Sequence, residues 1–260
     1  LPQGYRHRYQ PLQAEPSEWV TDVRIQGLTA RQVLQHTTGL PNWASGPLRF
    51  EAEPGARWSY SGEGFVLLQR AVEAITGQAL DLFMNEQVFV PLGMQHSAYA
   101  WDEAMAPDFL PGTKANGSPR KTLKLTTPFA AFTLYTSAAD YARFLVALLN
   151  DQPLLVTSLA SPVEVDRHLN LAWGLGWGLE RSAEGFTLWH WGNNPGYRAF
   201  VMARPASGDG FVMLTNSENG LALAEPIAQQ VVPGEHRVFR FAMLEGDTFQ
   251  WLCTRLGVCL

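Results

Sequence analysis

The stretch Arg57-Trp58-Ser59-Tyr60-Ser61-Gly62-Glu63-Gly64-Phe65 sets one phenol between two small hydroxyls, just after a Pro54-Gly55 turn. A free tyrosine titrates near about 10, too high for a good base at neutral pH. A neighbouring ammonium favours phenolate, so a lysine beside Tyr60 would let it move protons. The competing reading is an aromatic packed at a corner. The second segment of this kind is Trp189-His190-Trp191-Gly192-Asn193-Asn194-Pro195-Gly196-Tyr197-Arg198. His190 holds or sheds a proton near neutral pH. Gly192 lets a ligand backbone lie against the strand with no Cβ in the way. Ser59 and Ser61 fit turn hydroxyls. Arg198 fits a solvated strand arginine better than a carboxylate ligand. His36 reads as a structural residue at a helix C-terminus, where the dipole stabilises a partly charged imidazole. Trp43, Trp58, Trp173 and Trp191 read mostly as core, with some pocket wall.

Other chemistries find no foothold. The six histidines form neither His-x-x-x-His nor HExxH, which argues against a metal hydrolase. GxSxG, the P-loop and GxGxxG are absent from the sequence, so neither a nucleophile elbow nor a nucleotide cofactor is expected. The net charge is −5 and no basic run occurs, which makes nucleic acid a poor partner. No stretch has the length of a membrane span. Cys253 and Cys259 are too few for a zinc site. A local disulfide and a pair of small apolar residues both stay open for them.

The elements that position these residues are legible as patterns. Residues 1–28 are polar and weakly periodic, suited to wrapping another part. Thr29 and Gln32 form a capping box for a helix that Gly39 ends and Pro41 blocks. Phe65, Leu68, Val72 and Ile75 recur at helical spacing over residues 64–76, with Gly77 as the stop. A further helix spans 79–90. Residues 100–128 form a long excursion of loops that rims a site. Ser137 and Asp140 cap an apolar helix ending near Asn150. Beyond it the period changes to that of strands: residues 171–180, a run about His190, 197–205 and 210–218. The segment Ala206-Ser207-Gly208-Asp209-Gly210 joins the last two as a hairpin. Residues 221–232 form a helix with Pro226 in its first turns, and an amphipathic piece follows around Trp251. Helices first, then an antiparallel meander, then a helix make an α+β pattern with helices covering a sheet.

Those two segments, with His36-Thr37-Thr38-Gly39-Leu40-Pro41, Glu73-Ala74-Ile75-Thr76-Gly77, residues 89–94 and residues 136–149, stand in an order that resembles the penicillin-recognising serine hydrolases. This group holds class C β-lactamases, D-alanyl-D-alanine peptidases and related esterases. The resemblance covers about residues 25–225. It implies one incomplete β-lactamase-like domain over residues 1–260, with a helical lobe at about 29–150 and a sheet lobe at about 165–260. It implies an acyl-enzyme hydrolase for an ester, amide or peptide bond, needing no cofactor or metal, with a small-molecule or peptide substrate. Tyr60 matches the family's proton-shuttling tyrosine. His190 and Gly192 match the substrate-binding strand motif, and the backbone N–H of Asn193 would be an oxyanion donor. Family habit favours a periplasmic or secreted location.

Three departures accompany the resemblance. The one Ser-x-x-Lys is Ser118-Pro119-Arg120-Lys121, in the Pro/Gly-rich loop and after Tyr60. The expected nucleophile segment therefore lies upstream of Leu1, and a second chain or that segment fills the apolar groove left between the lobes. Gly62 stands where the family often has asparagine. His190-Trp191-Gly192 replaces Lys-Thr-Gly on what the family makes an edge strand, so that Trp191 adds an aromatic wall. The alternative is a catalytically inactive protein that keeps the fold for binding.

Overall fold

The computed structural model describes residues 4–9 and 12–244. Cys253, Cys259 and the amphipathic piece around Trp251 lie outside the described residues. Near the N-terminus β1 (Arg6–Arg8) and β2 (Ser17–Trp19) pair antiparallel. This hairpin reaches the helical part through His7, whose Nε2 lies 3.1 Å from the buried Glu63 carboxylate.

Thr29 and Gln32 form the expected capping box on α1 (Ala30–Leu34). The helix stops after five residues instead of running to Gly39. His36 adopts φ +53°, which ends helical hydrogen bonding before the glycine is reached. Gly39 serves a later turn: at φ +75° a Cβ there would lie 2.2 Å from the Ala52 carbonyl oxygen. The next helix, α2 (Gly62–Thr76), is capped by the Ser61 hydroxyl, which accepts from Gly64 N–H at 3.0 Å. Gly77 closes it in the left-handed conformation. A short α3 (Leu80–Met84) runs on into a π-turn over Asn85–Phe89.

Ser137 caps α4 (Ala138–Asn150), and α5 (Gln152–Leu159) follows directly. Then come β3 (Val163–Asp166), β4 (Leu171–Trp173), β5 (Gly178–Ser182), β6 (Gly185–Asn194), β7 (Tyr197–Arg204) and β8 (Asp209–Thr215), all antiparallel in sequence order. The single strand expected over 171–180 is two strands. Gly174 N–H bonds the Trp177 carbonyl at 2.8 Å and Gly176 takes φ +77°, so the chain turns there.

Both faces of the sheet are covered. Leu145 and Leu148 of α4 and Leu155 of α5 pack on Leu179, Leu188, Val201 and Ala203. On the other face Trp173, Trp189, Phe200, Met202 and Met213 meet α6 (Ala224–Val231) through Ala224 and Ala228, together with Val238, Phe241 and Leu244. Leu188 and Trp189 thus belong to opposite cores, as strand alternation requires. The architecture is α+β, an antiparallel sheet between helices. Among the described residues, no helix is long and apolar enough to cross a membrane.

Candidate active site

Tyr60 sits on the extended stretch entering α2. Ser59 N–H donates to the His36 carbonyl at 2.8 Å. Ser61 N–H donates to His36 Nδ1 at 3.0 Å. The backbone on both sides of the phenol is therefore bonded to one residue, and the His36 and Tyr60 rings lie 4.1 Å apart at a 31° tilt. Because Nδ1 accepts, the proton of this neutral imidazole is on Nε2, which is buried without a partner. Burial is the main cause that pushes the His36 pKa down to about 3, with His190 adding to it. The expected partly charged imidazole at a helix end is thus corrected. The residue is neutral, 1 % exposed and beyond a helix that ended at Leu34.

Tyr60 itself is half-buried, and burial raises its pKa to about 12. The phenol keeps its proton at neutral pH in this setting. Its ring lies 5.0 Å from Trp191 and 6.4 Å from His190. Residues 130 positions apart in the chain thus meet at one aromatic seam, floored by Trp58 and Trp173 at 6.5 and 6.0 Å from Tyr60. Phe241 packs under the same floor, 5.9 Å from Trp58 and 6.4 Å from Trp191. Trp173 is fully buried, whereas Trp43 is 43 % exposed, so the expected division into core and wall falls between them. The indole N–H groups of Trp58, Trp173 and Trp189 are buried without partners.

His190 Nδ1 lies 2.9 Å from the Trp191 carbonyl oxygen. A carbonyl only accepts, so Nδ1 carries the proton and Nε2 keeps its lone pair. Burial lowers the His190 pKa, while the bond to the carbonyl works against that. A neutral imidazole of this tautomer accepts a hydrogen bond at Nε2; it does not offer the positive charge of a lysine.

The strand carrying these residues is not an edge strand: β6 lies between β5 and β7. It becomes one locally. β5 begins at Gly178, opposite Trp189, so among the described residues 190–194 pair with β7 alone. A Cβ on Gly178 would lie 2.4 Å from the Trp189 indole, which locks this end of the ladder. Gly192 faces Ala199 across the ladder, where an added Cβ would come within 3.3 Å of the Ala199 Cβ. Asn193, beside it, is exposed.

The long loop after α3 docks on the far end of the β6–β7 hairpin. Thr113 N–H donates to the Asn216 carbonyl at 2.9 Å, and Asn216 Nδ2 to the Pro111 carbonyl at 3.0 Å. The Glu218 carboxylate receives Arg120 Nε at 2.7 Å and Gly196 N–H at 3.2 Å. Arg198 Nη1 donates to the Asn194 and Tyr197 carbonyls at 2.9 and 2.8 Å, so this arginine ties the turn together. Ser118 bonds Asn116 Oδ1 at 2.7 Å in an exposed loop and is not on a helix.

Gly62 is covered by Trp43: a Cβ there would lie 2.5 Å from Cζ2 of the indole. Two surface hollows, of about 430 and 560 Å³, are lined respectively by residues such as Gln69, Glu73 and Pro128 and by residues such as Trp19, Arg24 and Phe50, and border neither Tyr60 nor His190. Among the described residues, no three His, Cys, Asp or Glu side chains gather closely enough to hold a metal ion. Sequence reasoning missed His36 as the support of Tyr60. The one available signal was its place in the His36-Thr37-Thr38-Gly39 run.

Comparison with known proteins places the chain among relatives. The profile of the family described as Beta-lactamase matches residues 7–232. Penicillin-binding protein 4* of Bacillus subtilis (strain 168) is 24% identical over 278 residues, covering 85% of this chain and 58% of that protein. The chain thus spans little more than half the length of this relative. Among solved structures, a D-stereospecific amidohydrolase from Streptomyces sp. superposes with TM-score 0.66 at 18% identity, covering 80% of this chain and 73% of the other. D-alanine carboxypeptidase AmpC from Burkholderia cenocepacia superposes with TM-score 0.64 at 19% identity, over 74% and 68%. At these identities the superpositions establish the shared fold.

Proposed function

The chain belongs to the Beta-lactamase family, and from that membership we propose that it forms the tyrosine-and-strand portion of a serine hydrolase acting through an acyl-enzyme. The observation that supports this most directly is the meeting of Tyr60 with the His190–Trp191 segment, at 6.4 and 5.0 Å between rings. In this reading the nucleophile comes from a Ser-x-x-Lys segment outside residues 1–260. The serine oxygen adds to the carbonyl carbon of an ester, amide or peptide. Its proton passes by way of the Tyr60 oxygen to the leaving group, and water then releases the acid from the acyl-enzyme. The Asn193 backbone N–H, at the open edge of β6, is one donor to the oxyanion.

Electrostatics sets the condition for Tyr60. Burial alone holds the phenol protonated, which suits a group that donates to the leaving group. To accept the serine proton it needs a cation close by, and the lysine of Ser-x-x-Lys supplies one. His190, neutral with a free Nε2, accepts a hydrogen bond from a substrate N–H or O–H.

The test is chemical. The protein carrying this chain together with its Ser-x-x-Lys segment is treated with a fluorophosphonate probe and with labelled penicillin. Covalent labelling and ester turnover are expected. Absence of both, in folded protein, leaves the recognition-only alternative.

A further inference from the structure

Resting on that hydrolase reading, we propose that Trp43 and Phe132 form an aromatic shelf that selects substrates with an apolar, aromatic-sized group on the acyl side of the scissile carbonyl. The shelf starts at Gly62, two residues after Tyr60. The indole of Trp43 lies so close to Gly62 that any side chain at 62 would overlap it, at 2.5 to 2.9 Å from three ring atoms. The indole therefore occupies the space that a polar side chain at this position would fill. An asparagine at 62 and a tryptophan at 43 in this rotamer exclude one another.

The indole is held in place although Trp43 is 43 % exposed. On one side of it, the Asn42 carbonyl accepts from Gly62 and Glu63 N–H, each at 3.1 Å, and Asn42 Oδ1 accepts from Gly62 N–H at 3.0 Å. On the other side, Ala44 N–H donates to the buried Glu63 carboxylate at 3.0 Å. Both chain neighbours of Trp43 are thus fastened to the first turn of α2.

The far side of the indole meets Phe132 edge-on, with centroids 5.6 Å apart. Phe132 is stacked on the buried Phe129 at 5.2 Å. Gln69 of α2 pins this segment by donating to the Pro128 carbonyl at 3.0 Å and accepting from Ala130 N–H at 2.9 Å. The Phe132 carbonyl accepts from Asn194 Nδ2 at 3.0 Å, at the open end of β6. The shelf therefore runs from the Tyr60 side of the site to the residue beside Asn193. A substrate with its carbonyl oxygen at Asn193 and its leaving group at Tyr60 lays its acyl substituent over two fixed rings. Those rings offer apolar contact and edge-to-face stacking, and no amide to bind a polar acyl group.

The experiment measures kcat/KM for p-nitrophenyl phenylacetate and p-nitrophenyl acetate in the protein that includes the Ser-x-x-Lys segment. The ratio of the two is compared in wild type, Trp43→Ala and Trp43→Phe, with thermal melts to check folding. Trp43→Ala is expected to lower the ratio about tenfold, and Trp43→Phe to retain most of it. An unchanged ratio in folded Trp43→Ala overturns the shelf. If wild type hydrolyses neither ester and takes neither the fluorophosphonate nor the penicillin label, the hydrolase reading falls; in either case calorimetric titration with phenylacetate still reads the shelf. Saturable binding that Trp43→Ala removes supports it; no binding to wild type overturns it.

Discussion

His36 grips Tyr60 from three directions. Its carbonyl and its Nδ1 receive the N–H groups of Ser59 and Ser61, and its ring lies 4.1 Å from the phenol ring. A histidine used this way has to stay neutral. Protonating Nδ1 would break the bond to Ser61 and leave a charge at a site 1 % exposed.

Acid stability should report this. The unfolded His36 titrates near 6.5, and the folded site holds it neutral down to about 3. Between those values the unfolded chain binds the extra proton. The contribution of His36 is therefore complete above about pH 6.5 and is lost as pH falls toward 3, with a limiting slope of about 1.4 kcal/mol per pH unit. Urea unfolding of His36→Phe, which keeps a ring against Tyr60 and removes the titration, should give a flatter curve across this window. Its stability at neutral pH should be lower, because Ser61 N–H loses its acceptor. An equally steep curve in the variant would remove His36 as the cause.

His236 behaves in the opposite sense. Its Nδ1 lies 3.0 Å from Glu180 Oε2 and its Nε2 2.6 Å from the Val232 carbonyl. Both partners only accept, so both nitrogens carry protons. Burial by itself lowers its pKa, but the bonds to Glu180 and Val232 outweigh burial and raise it. The stability from this pair is fully present below the unfolded value of 6.5 and is lost as pH rises through the raised folded value. Glu180 also receives the N–H groups of Arg237 and Val238, which fastens residues 236–238 to β5. Glu180→Gln should lower the melting temperature most at acidic to neutral pH and least in alkali. A loss that is uniform across pH would count against a charged His236.

Tyr60→Phe isolates the hydroxyl. The ring contacts with His36, Trp191 and Trp173 survive the change, so melting should barely move. Turnover of esters by the protein with its Ser-x-x-Lys segment should fall by about a hundredfold or more, the usual span for a positioned proton donor. Full turnover in the variant would take Tyr60 out of the mechanism.

Gly178→Ala tests how the open edge of β6 is made. The new methyl would meet the fully buried Trp189 ring at 2.4 Å, where no flexible end is free to yield. Overpacking of this kind costs about 1–3 kcal/mol. The expected result is a lower urea midpoint, whereas Gly185→Ala, with nothing near its Cβ, acts through backbone strain alone at φ +111°. A neutral Gly178→Ala would mean the strand end tolerates displacement.

Much of the frame was readable in the linear chain. Thr29–Gln32 and Ser137 marked helix starts, and Gly77 marked a stop, because caps are local events within four residues; Ser61, which read as a turn hydroxyl, turned out to cap α2. The strands about His190 and after Tyr197 were readable from composition and turns. Less was readable where distant parts compete. The helix expected to reach Gly39 ended at Leu34, since the backbone at 36–37 bonds residues as far away as Gly55 and Ser59. Neither α5 nor β3 was anticipated, and one expected strand became β4 and β5 around Gly176.

For the site the division is similar. The residue types in Tyr60-Ser61-Gly62 and His190-Trp191-Gly192, and their order along the chain, were determined by the sequence alone, because chemistry belongs to side chains and turns to neighbours. Only the tertiary structure decided that His190 is neutral, that β6 is central yet open beyond Trp189, that His36 holds Tyr60, and that Trp43 covers Gly62. Each of these depends on burial or on contact between segments at least 11 residues apart. Desolvation and steric exclusion exist only once such segments are packed together, so no local pattern encodes them.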